Sequence, residues 1–185
     1  AATIYKLAKR RRPKNHKYPP APVRSGKTVY AAAKYLKPYR PTKGNSRNRR
    51  NFLRHFDRDI RVHLRKGQIK RALKHMAEKK FIRYTDQTQR DIIMSKITAT
   101  MVRYGQLEKA LKLAAPAAER SRKWTTQPDW SAALAAWQLG KPVIARRHFE
   151  ALMRSHRAND VQVASSAVWA SRAALASRQP EDVNK

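Results

Sequence analysis

The feature that most constrains the fold of this chain is a turn pattern that recurs three times. The segments HLRKGQIKRALKHM, MVRYGQLEKALKLA and AWQLGKPVIARRHF each hold a glycine followed five residues later by an alanine: Gly67 and Ala72, Gly105 and Ala110, and Gly140 and Ala145. The glycines lie 38 and 35 residues apart. A glycine here ends one helix in a left-handed conformation, and a small alanine lets the next helix approach its partner closely.

A period of this length is typical of stacked helical hairpins that resemble tetratricopeptide repeats. In a fourth segment, LASRQPEDVNK, Arg178 takes the glycine position and Val183 the alanine position. We therefore predict an all-α fold, a superhelix of stacked hairpins, with no strands. The predicted helices cover residues 51–66, 68–80, 86–104, 106–120, 129–139, 142–155, 161–177 and 180 onward.

The first 50 residues differ from the rest and are predicted to form a separate basic, Pro-rich segment ahead of a repeat domain at 51–185. They hold six of the ten prolines, which prevents long helices. Two short helices are predicted there, at 3–11 and 28–36. The stretch KPYRPTKGNSRNRRN, 37–51, is predicted to be a loop.

Charge indicates the kind of partner. The chain has a formal net charge of +31, and residues 1–56 hold 17 Lys or Arg and no Asp or Glu. Such a field predicts an anionic partner, which nucleic acid, anionic lipid or a carboxylate-rich cell-wall polymer would each satisfy. The candidate ligand-binding residues are the cations Arg10, Arg11, Arg12, Lys14, Arg47, Arg49 and Arg50, and two tryptophans beside one loop, Trp124 and Trp130.

No pattern in the sequence indicates catalysis or a metal site. The chain has no cysteine, its six histidines lack the spacing of metal ligands, and no Gly-x-Ser-x-Gly string is present. Its acidic residues are explained by helix starts and ion pairs. We therefore expect no cofactor, no metal and no catalytic residue in this chain. No apolar run approaches the roughly 20 residues of a membrane span, so no transmembrane segment is expected.

The segments DWSAALAAWQLGKPVIARRHFEALM, 129–153, and ASSAVWASRAALASRQPEDVNK, 164–185, resemble the α-helical superhelix of soluble lytic murein transglycosylases of the alphaproteobacterial type. The opening AATIYKLAKRRRP, 1–13, is similar to a helix end that precedes a Pro-rich linker in that family. The resemblance implies a periplasmic protein that holds peptidoglycan while a lysozyme-like domain cleaves the MurNAc–GlcNAc bond and forms 1,6-anhydro ends.

The family's catalytic domain carries a Glu-Ser pair and a Gly-Leu-Met-Gln string, and neither occurs here, so no catalytic residue is carried over. The resemblance thus implies a fragment whose catalytic domain lies elsewhere in the same polypeptide. Two alternatives stay open. One is a helical-repeat RNA-binding or ribosome-associated protein whose first 50 residues form a basic arm. The other is a protein–protein adaptor that uses the repeat groove.

Overall fold

The computed structural model describes residues 9–10, 39–42, 44 and 46–177, and within these ranges the protein is all-α with no strand. Residues 46–177 form eight helices. These are α1 (Arg47–Arg65), α2 (Ile69–Met76), α3 (Lys79–Tyr84), α4 (Gln87–Arg103), α5 (Leu107–Ser121), α6 (Gln127–Gln138), α7 (Pro142–Met153) and α8 (Asp160–Ser177).

The helices pack as sequential adjacent pairs. From α4 onward each helix lies against the next one along the chain, and α4 also contacts α6. At the other end α1 contacts α2, α3 and α4. Because neighbours in sequence are neighbours in space, the core is built mainly from contacts between consecutive helices.

Three turns of the same geometry join α1 to α2, α4 to α5 and α6 to α7. Gly67, Gly105 and Gly140 have φ of 68°, 71° and 66°, the left-handed conformation that the sequence predicted. At the first turn the Gly67 N–H donates to Leu64 O at 3.1 Å, and the Gln68 N–H donates to His63 O at 2.9 Å. The other two turns repeat both bonds, so each is a Schellman motif that satisfies the last carbonyls of a helix.

Small residues bring the paired helices together. Ala72, Ala110 and Ala145 are all fully buried. Helix α6 uses alanine on two sides. Ala135 packs into the core formed by α1 to α5, and Ala133 packs into the core that α6 shares with α7 and α8. Alanines of α6 thus contribute to both groups of helices, and their small side chains let α6 lie between the two.

The structure corrects two sequence-based predictions. Residues 68–80 are not one helix, because Glu78 is extended and separates α2 from α3. The break lets Phe81 turn inward and stack on Phe56, with ring centroids 4.1 Å apart. The end of the predicted loop at 37–51 is also helical, because the Ser46 side chain accepts a hydrogen bond from the Arg49 N–H at 3.3 Å and caps α1.

The other six helices predicted between residues 51 and 177 agree with the structure to within four residues at either end. Some predictions fall outside the described residues. These are the helix at 28–36, the helix from 180 onward, the turn at Arg178 and, apart from residues 9 and 10, the helix at 3–11. Residues 9 and 10 are helical.

The left-handed turns predict a stability effect. Gly140 has φ of 66° and open space where a Cβ would lie, so Gly140→Ala introduces backbone strain without a clash. We expect it to lower the free energy of unfolding by about 1–2 kcal/mol, measured by urea denaturation. Gly140→Asn should cost less, because asparagine tolerates this conformation better.

Gly44→Ala is the matched control. Gly44 also has open space around the Cβ position but no positive φ. Its substitution should leave the free energy of unfolding unchanged or slightly higher. Equal effects of alanine at positions 44 and 140 would contradict the role assigned to the turns.

Candidate anion-binding site

The predicted basic ligands of the N-terminal segment are only partly within the described ranges. Arg11, Arg12 and Lys14 lie outside them, and Arg10 is exposed on the short helical piece at residues 9–10. Arg47 and Arg50 are exposed in the first turn of α1. Of the residues within the described ranges, Arg10, Arg47 and Arg50 line none of the four surface cavities found there.

Arg49 differs from its neighbours because it is buried, with 4% of its surface exposed. Its Nε donates to Tyr84 O at 2.7 Å, and its Nη2 donates to Gln89 Oε1 at 2.6 Å. The guanidinium therefore ties α1 to the junction of α3 and α4, and it is not presented to a ligand.

The two candidate tryptophans have different surroundings. Trp130, on α6, packs edge-on against Phe149 with ring centroids 5.8 Å apart and lies partly buried against the core of the last three helices. Trp124 lies in the loop between α5 and α6 and is half-buried at the surface. Trp130 is half-buried as well, but of the two only Trp124 lines an open cavity.

Cations surround the ring of Trp124. The Arg157 guanidinium lies 5.2 Å from the ring centroid and the Lys123 ammonium 5.3 Å from it. Arg157 Nε also donates to Lys123 O at 2.6 Å, which ties the loop before α8 to the loop before α6. Tyr39 contacts the same ring edge-on at 5.5 Å, so the end of the N-terminal segment reaches this site.

An open cavity of about 620 Å³ lies between these two loops. Its lining is Arg122, Lys123, Trp124, Ala151, Arg154, Ser155, His156 and Arg157. Every permanently charged side chain of that lining is a cation, and one aromatic face stands among them. Such a site suits an anion that also carries a flat or apolar surface.

An ion pair between the half-buried Arg122 and the buried Asp129 stabilises one wall of the cavity. Arg122 donates to both carboxylate oxygens of Asp129, at 2.9 and 2.8 Å. The buried His148 donates from Nδ1 to Asp129 Oδ1 at 2.8 Å. Because Asp129 is only 1% exposed, it is a fixed anchor, and the bidentate pair gives the Arg122 guanidinium a defined orientation at the cavity.

The pKa of Asp129 reflects these contacts. Burial acts to raise it, but the hydrogen bonds from His148 and Arg122 outweigh burial and hold the pKa below its ordinary value. The hydrogen bond to Asp129 in turn raises the pKa of Arg122. Both groups therefore remain charged at neutral pH.

The cations that line the cavity were not among the residues predicted from the sequence. Arg122 and Lys123 stand directly before Trp124 in ERSRKW, and Arg154 and Arg157 stand in MRSHRAND. The first string carried a usable signal, because consecutive cations next to a loop tryptophan suit an anionic aromatic or sugar ligand. The second could not be linked to Trp124 without knowing that the two loops meet.

The Asp129 network predicts a pH-dependent stability. Asp129→Asn should lower the free energy of unfolding by about 3 kcal/mol at neutral pH, because it removes the buried partner of Arg122 and His148. The folded-state pKa of Asp129 is depressed, so its contribution is complete above about pH 4 and is lost as the pH falls from there toward the folded-state pKa. Urea denaturation across acid and neutral pH should show the two proteins converging in acid.

Glu119→Gln serves as the control for this comparison. Glu119 pairs with Arg147 at 3.0 Å in an exposed ion pair, which should contribute less than about 1 kcal/mol. If Asp129→Asn cost no more than Glu119→Gln, or if its cost did not change with pH, the anchoring role of Asp129 would be wrong.

No protein-family model, no curated protein and no solved structure matches the chain. Among the residues that the structure describes, no group of three or more histidine, aspartate or glutamate side chains could hold a metal ion. No helix within the described ranges is long and apolar enough to cross a membrane.

Proposed function

We propose that this chain is the peptidoglycan-holding domain of a periplasmic murein lytic transglycosylase. Its catalytic domain, on the same polypeptide, would cleave the MurNAc–GlcNAc bond. The observation that carries the proposal is the cavity at Trp124, which combines one aromatic face with cations from two loops. The role proposed for this chain is to bind and orient the substrate, without a catalytic residue of its own.

The helix arrangement supports the finer fold that this function implies. Three identical turns, each followed by a buried alanine, are typical of hairpins that stack into a superhelix like tetratricopeptide repeats. Stacked hairpins create an extended surface that suits a polymer. The sequence resemblance of residues 129–185 to the transglycosylase superhelix points to the same architecture.

The chemistry of the cavity fits a peptidoglycan strand. An indole face packs against the apolar C–H face of a sugar ring. Around Trp124, Lys123 and Arg157 offer cationic groups to the free carboxylates of the peptide stems. A ligand that carries both a sugar ring and carboxylates can therefore contact the indole and the cations at the same time.

RNA is the second candidate, and the same cavity gives it specific support. A guanidinium next to an indole ring also suits a nucleotide, because the indole can stack on the base while the guanidinium binds the phosphate. The 17 cations of residues 1–56, with no acidic residue among them, would follow a nucleic-acid backbone. The two candidates differ in whether the ligand must be a carboxylate-bearing glycan or a phosphate polymer.

Co-sedimentation with purified peptidoglycan sacculi at near-physiological salt separates the two. We expect the chain to pellet with the sacculi, to remain bound when excess single-stranded RNA is added, and to dissociate as salt is raised because the attraction is electrostatic. Transfer of the protein to the RNA-containing supernatant would favour the second candidate and overturn the first.

Trp124→Ala tests the cavity itself. Loss of the aromatic face should weaken sacculus binding by about fivefold, corresponding to about 1 kcal/mol, and leave the helices folded. Tyr104→Ala is the control, because Tyr104 is an aromatic residue at the surface that does not line this cavity. Equal binding by both variants would exclude the cavity at Trp124 as the sugar site.

A further inference from the structure

We propose that a second site, the groove between α1 and α4, binds an acidic peptide. Its walls carry four cations, with Arg61 and Arg65 on α1 and Lys96 and Arg103 on α4. The groove encloses about 570 Å³ and opens to solvent. None of its lining residues lines the cavity at Trp124, so the two sites are distinct.

The cations fall into two groups. Asp57 holds Lys96 through one carboxylate oxygen and Arg61 through the other, the latter at 2.8 Å, which fixes both side chains beside the groove. Arg65 and Arg103 are exposed, and within the described ranges neither makes an ion pair. One carboxylate thus faces four cations, so the groove retains a strong positive potential for a ligand.

Uncharged side chains of both kinds lie between the cations of the groove. The apolar part of the lining is Leu64, Ile92 and Ala99, and the polar part is Ser95, Thr100 and Gln127. Such a lining suits a peptide, because a peptide carries backbone hydrogen-bonding groups as well as side chains. Arginine binds a carboxylate through two parallel hydrogen bonds, so Arg65 and Arg103 could each receive one acidic group.

The lining also separates a peptide from RNA. No aromatic side chain lines this groove, so single-stranded bases would find no stacking surface. The cavity at Trp124 has such a surface, and the groove does not. A short peptide with acidic side chains is therefore the ligand class that the groove fits best.

The peptide stem of peptidoglycan, with alanine methyl groups and free carboxylates, is the specific ligand that we assign to this groove. Its identity as a peptidoglycan stem rests on the proposed function, whereas the preference for acidic peptides rests on the groove alone. Glycan at Trp124 and peptide in the groove would give one strand two points of contact, which raises its overall affinity.

The test is fluorescence anisotropy of the full chain with a labelled Ala-Glu-Glu-Ala peptide and with its uncharged Ala-Gln-Gln-Ala amide. The variant Arg65→Gln with Arg103→Gln removes two cations of the groove. The variant Lys70→Gln with Lys112→Gln removes two exposed cations from other helices and leaves the groove intact. Thermal denaturation checks that both variants stay folded.

We expect the acidic peptide to bind and its uncharged analogue not to bind. The groove variant should bind about tenfold more weakly, as expected for the loss of charge-assisted hydrogen bonds, and the control variant should change by less than about threefold. Equal losses in both variants would overturn the inference, because net charge alone would then explain binding. Displacement of the peptide from the groove by single-stranded RNA would also overturn it.

Sacculus co-sedimentation of the same proteins tells the two proposals apart. If the unchanged chain does not bind sacculi but binds the acidic peptide more tightly than the groove variant does, the groove inference is supported and the proposed function is wrong. If sacculi bind equally to the unchanged chain and to the groove variant, and the peptide does not bind, the proposed function stands and the groove inference fails.

Discussion

The rest of the structure depends on a left-handed backbone conformation at three glycines. At each one, two backbone hydrogen bonds close the end of a helix and reverse the chain, as at Gly67, so that the next helix returns along its partner. A fully buried alanine then lies five residues beyond each glycine, where a small side chain lets the helices pack closely. Without these turns the paired helices would not face each other, and their apolar sides would stay in water.

Electrostatics follows from this packing, because several of the acidic residues are used inside the fold. Asp91 is buried and accepts hydrogen bonds from Arg120 and Ser121, which joins α4 to the end of α5. Asp129, on α6, accepts a hydrogen bond from His148 on α7 and so joins these two helices. Each of these buried carboxylates is paired with an arginine, Asp91 with Arg120 and Asp129 with Arg122, so the links between helices leave the net positive charge unchanged. The cations that line the cavity at Trp124 and the groove between α1 and α4 belong to this excess.

Most of the helical architecture could be predicted from the sequence, because the turn motif is local. A glycine that must be left-handed and an alanine that must be small act through their own backbone and nearest neighbours, so Gly105 and Ala110 identify their turn directly. The break at Glu78 could not be predicted, because no glycine or proline marks it. It follows from the stacking of Phe81 on Phe56, two residues 25 positions apart.

The sequence by itself determined the all-α class, the three turns and the excess of positive charge, since each depends on residue type or on short spacings. Only the tertiary structure decided which charged and aromatic residues form sites. It buried Arg49 as a structural link, packed Trp130 against the core of α6 to α8, and brought Arg157 from another loop onto Trp124. The physical reason is that a site is defined by side chains distant in sequence that meet only after the helices have packed.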